Sequence, residues 1–141
     1  MTEVRSTDRF AELTRACAHT GGVVSYQSAA QVYAMGDFHP HFVHVTAAGL
    51  QGSRGADGTV AIHRERLHST DICDLGLFRV TTPLRTVLDL AASPVSHAVL
   101  DRVVADAIAI GRVAVDDLSS AAQTEPARVE ARLRRALHAA S

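Results

Sequence analysis

His39, His41 and His44 crowd into the run HPHFVH. Imidazoles are common metal ligands, and strand spacing of two puts side chains on one face. Here His39 and His41 flank Pro40 at a strand entrance, and His44 has the opposite parity to His41. They are not expected to converge, and no metal or other cofactor is expected. His44 and His63 are better placed. Each sits on a segment of alternating hydrophobicity, opposite Val43 and Val45 in one case and Val60 and Ile62 in the other. If the segments pair, the two imidazoles are cross-strand neighbours. They would then form either a polar platform for a partner or, the favoured reading, a hydrogen-bonded pair under a helix. A close pair would also be a pH-sensitive spot.

Other charged constellations are mainly structural. Arg85 and Asp89 are four apart on an expected helix and read as a local ion pair. An arginine in a first turn opposes the helix dipole, so Arg85 should have another partner as well. Arg54, Arg64 and Arg66 could form a basic edge that contacts a partner, or a solvated edge that discourages aggregation. Arg128, Arg132 and Arg135 share one face of the last helix, which reads as solvated. Asp71, Asp74 and Glu65 suggest a nuclease-like carboxylate set. The D…ExK element of such nucleases is absent, because all 14 basic residues are arginine. There is no GxSxG, HExxH, Walker loop or GxGxxG. Cys73 has no activating neighbour in sequence. An enzyme is not expected.

These side chains need elements to hold them. Residues 4–19 carry Phe10, Leu13, Ala16 and Cys17 at helical spacing, and Gly21-Gly22 ends that helix. Val23-Val24 is a short extended step. Residues 27–35 form a short helix capped by Ser25 or Ser28. His41–Thr46 and Thr59–Arg64 alternate as strands, joined by the glycine-rich stretch 47–58 read as a hairpin loop. Further extended pieces lie at 68–73 and 77–81. Thr82-Pro83 supplies a capping hydroxyl before a proline at the first helical position. Helices over 83–92, 95–110 and 125–139, with a short one from Asp116 or Asp117, complete the chain. The expected class is α+β: a small antiparallel sheet of 3–4 strands packed by N-terminal and C-terminal helices.

Composition narrows the function classes. The 141 residues fit one domain, and 47% hydrophobic residues supply a core without metal or disulfide support. Cys17 and Cys73 stand far apart and read as reduced thiols. The N-terminus has no apolar signal region, and no apolar run approaches the roughly 20 residues of a membrane span. A soluble, cytoplasmic protein is expected. A net charge of −1 gives no basic excess for holding a duplex. Direct nucleic-acid binding is therefore not expected without a separate module.

The order of landmarks carries a resemblance. VVSYQSAAQVYAM, FVHVT, VAIHRERL and LFRVTTPLRTVLDLAA stand in sequence. Together they resemble the region C-terminal to the winged helix in AbiEi-family antitoxin regulators of GC-rich bacteria. The likeness runs over about residues 8–118 and ends in Thr82-Pro83-x-Arg85-Thr86-x-x-Asp89-Leu90. It implies a single effector domain over residues 1–141, with no room for the winged helix. It also implies a protein partner, a nucleotidyltransferase-like toxin neutralised by binding. Arg54, Arg64, Arg66, His44 and His63 would make the contact. Two alternatives stay open: a DNA-binding transcriptional regulator acting as a dimer, and a phage or host interaction protein of the same fold.

Overall fold

The computed structural model describes residues 2–48 and 59–141. The chain divides into two compact units: residues 1–28 with 40–82, and residues 29–39 with 83–141.

The first unit is a sheet with one long helix. That helix, α1 (Thr2–Thr20), buries Leu13 and Ala16, as its periodicity predicts. Its end is tightly tied. The Thr20 hydroxyl donates to the Ala16 carbonyl (2.8 Å) and accepts from the Gly22 N–H (3.0 Å). Gly21 takes the left-handed conformation, φ +70°, which only glycine adopts freely after a helix. Then come β1 (Val23–Val24), α2 (Tyr26–Tyr33), whose first turn belongs to this unit, β2 (Val43–Thr46), β3 (Val60–His63), β4 (Ile72–Asp74) and β5 (Arg79–Thr81).

The α+β class is as expected, but the sheet is larger and mixed. Among the described residues it has five strands in the order β3-β2-β1-β5-β4. β1 pairs antiparallel with β2 and parallel with β5, β4 and β5 are antiparallel, and β2 and β3 run parallel. Val23-Val24, read as a mere extended step, is the central strand, and its residues are 4% and 0% exposed. The expected hairpin between β2 and β3 is a correction. Alternation fixes which side chains share a face, not strand direction. The link between the two strands is also long enough for the dozen or so residues a parallel crossover needs.

The second unit is helical: α3 (Pro83–Ala92), α4 (His97–Ala109), α5 (Val115–Ala122) and α6 (Ala127–Ala140), with the later part of α2. Pro83 opens α3, where its missing N–H costs nothing. α4 begins after Ser96, whose hydroxyl accepts from the Val99 N–H, rather than at Val95. Leu90, Leu100, Val103, Val104, Leu118 and Leu133 form a dry core, each 0% exposed. Gly36, at φ +78°, fits where a Cβ would lie 2.9 Å from Phe38 and Val103. Its N–H donates to Asp106 Oδ2 (2.8 Å).

Arg132 departs from the solvated reading, being only 9% exposed. Its guanidinium donates to the carbonyls of Ser93 and Val95, while Arg128 donates to that of Ala92. α6 thus serves the carbonyls left over at the end of α3, where positive charge is favoured. No helix among the described residues is long and apolar enough to cross a membrane.

Candidate functional site

Parallel pairing sets Val43 against Val60 and Thr46 against His63. His44 and His63 therefore lie diagonally on one face, and they meet. His44 Nδ1 and His63 Nε2 are 2.9 Å apart. The ring centroids are 5.2 Å apart with planes 23° from parallel. That separation is about the N···N distance plus the centre-to-nitrogen radius of each ring. The two nitrogens therefore point head-on at one another, with one proton between them. The hydrogen-bonded alternative from the sequence is the one observed.

The first turn of α2 covers this face. Tyr26 stacks on His63, with centroids 3.9 Å apart and planes 19° from parallel, and its hydroxyl donates to Glu65 Oε1 (2.7 Å). Tyr26 holds φ +52°, a left-handed conformation costing a tyrosine roughly 1–2 kcal/mol. The stack and the hydrogen bond offset that cost. Buried hydroxyls tie α2 to β2 beneath. The His44 N–H donates to Ser28 Oγ (2.9 Å), the Ser25 N–H donates to the His44 carbonyl (2.9 Å), and Thr46 Oγ1 donates to Ser25 Oγ (2.8 Å).

Burial, helped by the neighbouring His63, pushes the His44 imidazole down to about 4. His63 is also lowered by burial, against an opposing pull from the Glu65 carboxylate. Both rings are thus held neutral at pH 7. Neutral imidazoles are good metal ligands, but chelation needs two lone pairs converging on a third point, and these face each other. The cluster can store and share a proton.

The remaining candidates separate. Arg64 and Arg66 are exposed on either side of the half-buried Glu65. Arg54 lies outside the described residues. Arg85 Nε is 2.8 Å from Asp89 Oδ1, and the Asp89 side chain is 2% exposed, so this pair is far from a surface ion pair. Thr82 precedes Pro83, and its N–H donates to the Asp71 carbonyl (2.8 Å). His39 Nε2 lies 3.1 Å from Asp37 Oδ1 at the surface. Among the described residues no three His, Cys, Asp or Glu are placed to hold a metal. The three carboxylates of the nuclease-like reading turn to separate partners: Glu65 to Tyr26, Asp71 to the His68 N–H, Asp74 to the Gly76 N–H. Burial raises the Cys17 thiol, which disfavours a reactive thiolate.

Tyr26 is the member that sequence reasoning missed, and Glu65 was grouped with Asp71 and Asp74 instead. Glu65 had a signal, since it follows His63 by two in an extended segment and so shares its side. Tyr26 had none, because tyrosine does not encode a left-handed turn.

The family model described as the AbiEi antitoxin C-terminal domain matches residues 21–139. No curated protein and no solved structure matches the chain.

Proposed function

The chain belongs to the family of AbiEi antitoxin C-terminal domains, and from that premise we propose that it is a non-enzymatic module that neutralises a toxin by binding it. The observation that carries this reading is the sidedness of residues 63–66. His63 and Glu65 turn to the tyrosine–histidine cluster, while Arg64 and Arg66 are exposed just past the edge strand β3. Two arginines thus stand at the surface beside the strand, with Glu65 between them turned toward Tyr26. A basic edge of this kind steers an acidic protein surface and sets orientation more than raw affinity. Arg54, outside the described residues, stays a contact candidate from the sequence alone. His44 and His63 act beneath that edge, fixing the strand that presents it.

The partner is a toxin of the nucleotidyltransferase-like kind, met in the cytoplasm. Duplex binding finds no comparable support, given the net charge of −1.

Co-expression with the neighbouring gene product tests the reading. Wild-type chain should co-purify with the toxin and restore growth. Arg64→Glu with Arg66→Glu should weaken the complex at least tenfold with an unchanged circular dichroism spectrum. If wild type neither co-purifies nor rescues, the proposal is wrong.

A further inference from the structure

We infer that the His44–His63 pair is a one-proton latch on edge strand β3: a first proton enters without changing its shape, and a second forces the rings apart and detaches β3 from β2. The inference concerns the sheet itself and holds whatever partner the domain takes.

The head-on geometry carries the argument. A 2.9 Å gap between facing nitrogens has room for one hydrogen. The neutral pair uses it as N–H···N. The singly protonated pair uses the same gap as N–H⁺···N, a shorter-range and stronger charge-assisted bond. A doubly protonated pair would place two N–H groups and two positive charges in that gap, which is repulsive on both counts.

The groups around the pair set the order of uptake. After β3, Glu65 favours a charge on His63, and the Tyr26 face from α2 lies directly against that ring. On β2, the charge acting on His44 is that of His63, which opposes protonation. The other polar groups here, Ser25, Ser28 and Thr46, are uncharged. Arg64 and Arg66 flank Glu65 at the surface. α1 also packs on β2, but its Arg9 and Glu12 pair with each other at 3.4 Å, and Arg15 and His19 are exposed. His63 therefore takes the first proton, and His44 resists the second until about pH 4.

Relief from the second proton falls on β3. His44 is held by its own strand and covered by the first turn of α2. His63 is pinned from one side by the Tyr26 ring at 3.9 Å. Among the described residues β3 sits at the end of the strand order and pairs only with β2. A strand with one neighbour is the least expensive element to release.

NMR of the uniformly 15N-labelled chain from about pH 7.5 to about pH 3 tests this. Imidazole nitrogens report protonation, and amide exchange reports strand pairing. The expected result is two steps. His63 protonates first, with the Ala61 and His63 amides, which face β2, still protected. His44 follows, and those amides lose protection at least tenfold while Val24 and Val80 keep theirs. Glu65→Gln should lower the first step by about one pH unit. His44→Gln, which can still hydrogen-bond to His63 but takes up no proton, should keep β3 protected through the acid range. Should H44Q fail to fold, H63Q serves the same purpose. The latch is overturned if both rings titrate together in the ordinary histidine range. It is equally overturned if β3 opens at the first step, if β3 is indifferent to the second, or if Val24 and Val80 lose protection along with β3.

Discussion

The two units bury polar groups by opposite means. The helical unit buries charge: Arg132 spans the carbonyls after α3, and Asp89 sits almost fully covered beside Arg85. The sheet unit encloses neutral groups: two half-buried imidazoles sharing a proton, the hydroxyls of Thr20, Ser25, Ser28, Thr46 and Thr81, and the Tyr26 phenol. The Arg132 guanidinium stays charged at every accessible pH, so its contact depends on geometry. The imidazole pair depends on protonation. Similar burial therefore gives one unit that is sensitive to truncation and another that is sensitive to acid.

Core truncation in the helical unit should have the largest effect. Leu100→Ala removes a fully buried side chain from α4 and should cost about 4 kcal/mol in urea unfolding. A cost under about 1 kcal/mol would mean that this core is not close-packed. Arg132→Met keeps much of the packing and removes the donors to Ser93 and Val95. A loss of about 2 kcal/mol is expected, and it should be the same at pH 5 and pH 8. A pH-dependent loss would erase the contrast drawn between the units.

The acid response sharpens the other side. Both histidines have folded pKa values below the ordinary 6.5. Between the folded and unfolded values, the unfolded chain binds more protons. Stability from the pair is therefore fully present above about pH 6.5 and is lost as pH falls toward about 4. Urea midpoints across that window should drop for the wild type and drop less for His44→Gln. Equal slopes would remove the pair as the cause. The smallest change is Tyr26→Phe, which keeps the stack on His63 and loses the bond to Glu65. It should cost about 1 kcal/mol, and much less in a Glu65→Gln background.

What could be read from the sequence followed the range of the physics involved. Thr82-Pro83 marked the start of α3 because a proline at the first helical position acts within one turn. The same-face relation of His44 and His63 followed from a period of two, which holds for either strand direction. The direction itself is decided by long-range pairing, so a parallel neighbour was read as a hairpin. Val23-Val24 is too short for any periodicity, yet it is the centre of the sheet. Arg132 was placed on the correct helix, but helical spacing says nothing about carbonyls contributed by residues 93 and 95. The family match over residues 21–139 covers all four landmarks.

The central strand also sets a timetable. β1 is flanked by β5, and Arg79 reaches back to the Gly21 carbonyl across 58 positions. The β1–β5 half of the sheet cannot form until that distance is closed, whereas α3 to α6 assemble from neighbours in sequence. Contacts far apart in the chain are slow to form. In pulse-labelled refolding, amides of α4 and α6 should be protected before those of Val24 and Val80. For that interval the helical unit would be formed while β5 and β4 are not yet joined to β1, so a newly made chain would complete its helices before its sheet.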